Sequence, residues 1–139
     1  MKPLWQGSSK GIRLSSRAED RSQLEREVER IFGDYPDEPI LVEEHIQGRE
    51  ITIGVLGNRP PEILGIMEIK FRDPARQDFC YSLEVKRNWK EEVEYLIPAP
   101  LDSKGEKELK AQALNLFNTL RLRDVARFDF RMDSKGKFY

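Results

Sequence analysis

Arg127 and Asp129 give the sharpest chemical pattern in the chain. Two residues apart on a strand they point to one face, roughly 7 Å from each other at about 3.3 Å per residue. A carboxylate beside a guanidinium suits a site that holds a divalent cation and stabilises a transferring phosphoryl group. The plainer alternative is a weak surface ion pair on an exposed sheet face. A second signal is the run Gly7-Ser8-Ser9-Lys10-Gly11, whose small residues let backbone N–H groups and hydroxyls approach an anion closely. It lacks the G-x-x-x-x-G-K-[ST] pattern, and a solvated turn would also account for it. Glu43 and Glu50 flank Gln47-Gly48 at the polar edges of apolar runs, where simple solvent exposure is the competing explanation. His45 is the single histidine and has no second histidine for a metal site, so a hydrogen-bonded structural role suits it better than catalysis. Lys86 stands in a charged segment near Tyr81 and Glu84, and a charged loop explains it adequately. Trp5 and Trp89 serve equally as packing anchors or as ligand platforms.

These residues need elements to position them. Ser16-Arg17-Ala18-Glu19 reads as a capping box, and Leu24, Val28, Ile31 and Phe32 then follow at helical spacing, which predicts a helix over 17–32 capped by Gly33. A short strand is expected over Ile12–Leu14, and another over Ile40–Val42. Glu50 to Leu56 alternates, with Ile51, Ile53 and Val55 on one side and Glu50, Thr52 and Gly54 on the other. Glu62 to Lys70 reads as the next strand after a turn at Gly57-Asn58 and Pro60-Pro61. Residues 72–91 show no clean period and suit a loop or short helix, and Tyr95–Ile97 suits a short strand. Ser103-Lys104-Gly105-Glu106 is a second capping box, opening a helix over 104–121 with Leu109, Ala113, Leu116, Phe117 and Leu120 on its apolar face. Val125 to Met132 alternates again: Ala126, Phe128, Phe130 and Met132 against Arg127, Asp129 and Arg131. A turn at Asp133–Gly136 then leads into Lys137-Phe138-Tyr139, the opening of a further strand. Helices interleaved with hairpin-like strands indicate an α+β fold, a mostly antiparallel sheet with helices packed on it.

Composition excludes several classes. With 139 residues, 38% hydrophobic and 35% charged, the chain fits one domain with enough aromatic residues for a core. Its 24 basic residues against 25 acidic ones leave no electrostatic footprint for nucleic acid. No apolar run approaches the ~18 residues of a membrane span and no signal peptide is evident, so the chain reads as cytoplasmic. A single cysteine, Cys80, forms neither an internal disulfide nor a cysteine-based zinc site.

Taken in order, the segments resemble the central and C-terminal part of an ATP-grasp ligase of the D-alanine–D-alanine ligase type. The matching stretches are Lys2-Pro3 with Gly7 to Gly11, then Leu41 to Ile46 with Gly48-Arg49-Glu50 and Thr52 to Gly57. Pro61-Glu62 with Met67-Glu68-Ile69, Pro98 to Leu101, and Ala126 to Asp129 with Asp133 and Gly136 complete the set. The resemblance implies that Lys2 contacts nucleotide phosphates, and that Gly7, Ser8, Ser9 and Gly11 belong to a loop closing over them, with Ser8 also near the amino-acid substrate. It implies an adenine hinge at Glu43, Glu44 and Ile46, a ribose contact at Glu50, and a lysine reaching the terminal phosphate at Lys86. Asp129 would be a first magnesium (or manganese) ligand, and Arg127 the arginine that stabilises the charged intermediate. Residues 1–56 would hold the phosphate loop and hinge, and 57–139 a truncated catalytic subdomain.

The implied activity is ATP- and magnesium-dependent amide formation through an acyl phosphate, in the service of peptidoglycan biosynthesis. Its partners would be ATP and a small amino acid or peptide, with a homodimer left open for a full-length parent. Arg87 stands where family members carry Tyr or Phe, at a position that helps select the substrate, so the acceptor amino acid stays open. Glu44 stands where many relatives have Lys. The resemblance also implies that the chain is a fragment, with two further magnesium ligands expected in a Leu-Glu-x-Asn-x-x-Pro-Gly-like segment after Tyr139, so that these 139 residues alone are expected not to turn over ATP. A nucleotide-binding module that has lost the chemistry is the alternative from a different class.

Overall fold

The computed structural model describes all residues except 74 and 77–80; Cys80 therefore lies outside the described residues. The chain divides into two compact units, one of Met1–His45 with Cys80–Glu92 and the other of Ile46–Phe79 with Val93–Tyr139.

In the first unit, β1 (Lys2–Pro3) pairs antiparallel with β2 (Ile40–Leu41), Lys2 opposite Leu41. The stretch expected as a strand at Ile12–Leu14 is not one: Leu14–Ser16 forms a 3-10 turn, with Leu14 60% exposed. Helix α1 runs over Arg21–Asp34, four residues later than the capping box at Ser16 suggested. The reason is local competition. Asp20 takes the cap, its carboxylate accepting from the Gln23 N–H at 2.8 Å, and a charged acceptor at a helix N-terminus also meets the macrodipole favourably. The Ser16 hydroxyl is engaged elsewhere, donating to Glu27 at 2.6 Å while accepting from the Arg13 N–H at 2.9 Å. Gly33 lies inside the helix, which closes with Tyr35 donating to the Ile31 carbonyl. Of the apolar stripe Ile31 is fully buried, whereas Phe32 is 59% exposed and Glu27 occupies a buried position instead. Two short helices, α2 (Leu83–Arg87) and α3 (Trp89–Glu92), complete the unit.

The second unit is a four-stranded sheet in the order β5 (Val93–Leu96), β4 (Glu62–Phe71), β3 (Arg49–Leu56) and β6 (Val125–Met132), antiparallel at every pairing. Helix α4 (Ser103–Thr119) packs on one face. Here too an aspartate displaces the expected cap: Asp102, not Ser103, accepts from the Gly105 N–H at 2.7 Å. Leu109, Ala113 and Phe117 of α4 meet Ile51, Ile53, Val55, Ile66 and Phe130, and Phe138 joins them from the chain end. Burying each large apolar side chain contributes about 1.5–3 kcal/mol. The expected closing strand is reduced to an isolated antiparallel bridge of Met132 with Phe138, in which Arg131 and Tyr139 exchange N–H···O bonds at 3.1 and 2.9 Å. The opposite face of β3 and β6 carries the polar set.

Candidate functional site

The β3–β6 register builds the polar face. It sets Glu50 opposite Arg131, Thr52 opposite Asp129, and Gly54 opposite Arg127. Directly opposed residues of an antiparallel pair share a face, so five functional side chains stand together, Arg127, Asp129 and Thr52 in one group and Glu50 with Arg131 in the row beside it. Arg127 and Asp129 form the pair expected from their spacing, with Arg127 Nε 2.9 Å from Oδ1 and Nη2 donating to Oδ2 at 3.0 Å. The Thr52 hydroxyl donates to Oδ1 as well. Asp129 and Arg127 are 54% and 68% exposed, so their attraction is screened and contributes at most about 1 kcal/mol. Either partner can exchange the other for a ligand at little cost.

The second row is drier. Arg131 and Glu50 are about 20% exposed, with Nη1 donating to Oε2 at 3.3 Å. Arg131 also donates through Nε to the Ile46 carbonyl at 3.0 Å and through Nη2 to the Gly48 carbonyl at 3.1 Å. Glu50 further lines an open cleft of about 520 Å³ together with Arg49, Lys70, Phe71, Arg76 and Asp133. The Asp133 carboxyl is held below its ordinary range by the Lys137 backbone N–H first, then that of Lys135, which fixes the turn at the rim of this cleft.

The first unit holds the remaining candidates. Lys2 Nζ lies 2.9 Å from Glu43 Oε2, so the β1–β2 pairing brings these two together. Residues 7–11 form tight turns closed by Lys10 N–H to Gly7 O and Ile12 N–H to Ser9 O, both at 3.1 Å. Ser8 and Ser9 adopt positive φ, as does Gly11, where a Cβ would come within 2.5 Å of Pro3. Glycine is thus required at position 11 by close approach. Ser9 Oγ donates to the Tyr81 carbonyl at 2.9 Å, and Lys86 Nζ sits 4.9 Å above the Tyr81 ring, so loop and lysine converge on one tyrosine. Gly7, Ser8, Glu43, Glu44 and His45 are exposed.

Two networks leave little trace in the sequence. Arg49 clamps the buried Glu68 with two bonds of 2.8 and 2.7 Å and reaches the Pro100 carbonyl at 3.1 Å. In the first unit Arg30 donates to Glu27 at 2.6 and 3.0 Å and to the Gly11 carbonyl at 2.8 Å, tying the end of the 7–11 loop to α1. Burial pushes the Glu27 carboxyl up, but hydrogen bonds from Arg30 and Ser16 outweigh it and hold it down to about 2. An i,i+3 Glu27–Arg30 spacing was the only available hint, and it occurs on most solvated helices.

With the geometry in place, the chain can be set beside known proteins. A family profile described as D-ala D-ala ligase C-terminus matches residues 1–139. The chain belongs to the D-alanine–D-alanine ligase family. It is 35% identical over 136 residues to D-alanine–D-alanine ligase B of Clostridium tetani, covering 98% of this chain and 35% of that protein. Its fold is that of the ATP-grasp ligases. The D-alanyl-alanine synthetase A of Vibrio cholerae superposes with a TM-score of 0.75 at 24% identity, over 99% of this chain and 39% of that one. A D-alanine–D-alanine ligase of Bacillus anthracis complexed with ATP superposes at 0.64 and 18% identity, over 86% and 35% of the two chains. The chain therefore spans about a third of the length of such curated relatives.

Proposed function

We propose that this chain carries the nucleotide- and phosphoryl-handling part of an ATP-dependent carboxylate–amine ligase. The observation that carries the reading is the exposed Arg127–Asp129 pair beside Thr52, on a sheet face whose next row holds Glu50. Family membership supports it. In this reading a carboxylate oxygen of an amino acid attacks the γ-phosphorus of ATP and ADP leaves. An amine then attacks the acyl carbon, and the phosphate departs as the amide forms. Arg127 stabilises the charged acyl phosphate and the tetrahedral species, and Lys86 steadies the terminal phosphate as it transfers. Lys2 contacts the nucleotide phosphates, and Gly7, Ser8, Ser9 and Gly11 close over them, with Ser8 beside the amino acid. Glu43, Glu44 and Ile46 hold the adenine through backbone groups, and Glu50 accepts from the ribose hydroxyls. The Ile46 carbonyl is already committed to Arg131, so Ile46 would meet the base through its N–H. Residues 1–56 then serve the phosphates and the base, and 57–139 the chemistry, in a cytoplasmic enzyme.

Asp129 suits one position in a magnesium shell, and the ion would neutralise phosphate charge. Magnesium prefers about six oxygen ligands, and among the described residues no group of three or more His, Cys, Asp or Glu could hold a metal ion. The donors present do not by themselves make that site, and no step above is routed through it. The second reading, from a different class, is a nucleotide-binding module without turnover. A coupled assay of ADP release by the full-length parent, with a panel of D- and L-amino acids, tests the choice. Asp129→Asn should cut amino-acid-dependent ADP release by about a hundredfold or more, as expected for a carboxylate that would help hold the cation balancing phosphoryl charge, with an unchanged melting temperature and partial recovery in excess magnesium. ATP binding with no release under any amino acid would favour the binding module, and an unaffected Asp129→Asn would remove the carboxylate from the chemistry.

A further inference from the structure

Strand period alone places Arg131 on the polar face two positions beyond Asp129, where a solvated arginine would be ordinary. Its side chain is instead 21% exposed and is spread over the Ile46 carbonyl, the Gly48 carbonyl and the Glu50 carboxylate. The Glu50 contact follows from register, because the two residues are direct partners. The carbonyl contacts do not: they come from the turn that enters β3, where Gly48 has φ +148 and a Cβ would lie 2.0 Å from the Met132 carbonyl oxygen. That turn is seated against β6 too closely for any side chain at 48, and Arg131 ties it there.

A planar guanidinium spreads its N–H groups over three nitrogens in a fixed fork that spans separated acceptors, whereas an ammonium carries its three donors on one nitrogen at the end of a flexible stem. The pairing has an electrostatic consequence as well. A lone carboxylate would repel a nucleotide polyanion, whereas Glu50 paired with Arg131 presents acceptor oxygens with its charge balanced. We infer that Arg131 is a positioning residue: by holding the 46–48 backbone and one oxygen of Glu50, it orients the Glu50 carboxylate to accept hydrogen bonds from the vicinal hydroxyls of a nucleotide ribose. The inference rests on the ribose role proposed for Glu50.

Calorimetric titration with ATP and with 2′,3′-dideoxy-ATP, alongside amide hydrogen exchange of residues 46–50, tests it in the wild type, Arg131→Met, Arg131→Lys and Glu50→Gln. The wild type should prefer ATP by about tenfold, the size of one or two hydrogen bonds. Both Arg131 variants should lose most of that preference and exchange faster at 46–50 while α4 stays protected. Arg131→Lys keeps charge and length, so it carries the test if Arg131→Met fails to fold. A wild type that binds the two nucleotides equally, or binds neither, overturns the ribose role of Glu50 and the inference with it. A wild type that discriminates, with variants that discriminate equally well, overturns the positioning role alone. Full recovery in Arg131→Lys would show that charge suffices, and would overturn the three-acceptor geometry.

Discussion

The two units stay folded by different means. The second has an apolar layer, with Ile51, Ile53, Val55, Leu109 and Ala113 at 0% exposure and Phe117 at 1%. The first buries Ile31 and Val85, but beside them Glu27, Ser16 and Ser82, the last at 0%. Its center is a network in which Arg30, Ser16 and the Gly11 carbonyl meet around Glu27. Apolar burial is insensitive to pH, whereas the hydrogen bonds that Arg30 and Ser16 give to Glu27 stabilise most while that carboxylate is ionised. The functional candidates divide in the same way. Those of the second unit stand on long strands whose register fixes them. Those of the first hang on two-residue strands, tight turns and a short helix.

The largest break in this contrast should come from the apolar layer. Phe117→Ala removes a ring 1% exposed in the last turn of α4, and should cost about 3–5 kcal/mol, read as a lower urea midpoint. Amides of β3 and α4 should lose protection first. A loss below about 1 kcal/mol would mean that the layer is not what holds the sheet.

Acid should act on the other unit. Glu27 is held down to about 2 in the folded chain against an ordinary 4.5, so its contribution is fully present above pH about 4.5 and is lost as pH falls towards 2. Linkage limits that contribution to at most about 3 kcal/mol. Hydrogen exchange at pH 3 against pH 7 should show α1 and residues 7–12 opening while β3 and β6 stay closed. Glu27→Gln should be less stable at neutral pH and should lose most of this acid dependence. Equal loosening of both units would erase the contrast.

The smallest effect sharpens it. Lys2 and Glu43 are 40% and 52% exposed, so Lys2→Met should change stability by less than about 1 kcal/mol. ATP affinity should fall nonetheless if Lys2 meets phosphate. A melting curve and a titration on the same sample separate the two. A large stability loss would mean that this pair belongs to the network around Glu27.

How much of this was legible beforehand depended on the range of the forces. The alternation of β3 and β6 predicted their faces and nearly their ends, and the stripe of α4 predicted Leu109, Ala113 and Phe117 as its buried side. Both Ser-x-x-Glu boxes located a helix start, and in both a neighbouring aspartate took the cap. Ser16 could not be read correctly from its neighbours, because its hydroxyl serves a carboxylate 11 residues away. The spacing of Arg127 and Asp129 put them on one face, but not the donation from Thr52, which crosses to another strand.

The sequence by itself determined the period-based features: the antiparallel strands, the helices, the pairing of a guanidinium with a carboxylate on the last strand, and an ordered set of segments sufficient to place the family. These are legible because apolar spacing and turn chemistry act within a few residues. Only the tertiary structure decided which partner each charge takes. Arg131 could have been a solvated arginine and Glu27 one more acid on a charged helix. Each draws its role from groups brought close by packing, 81 to 85 residues away for Arg131 and 11 for the Ser16–Glu27 contact. Burial strengthens such contacts by excluding competing water, and no local pattern records which side chains will be buried together.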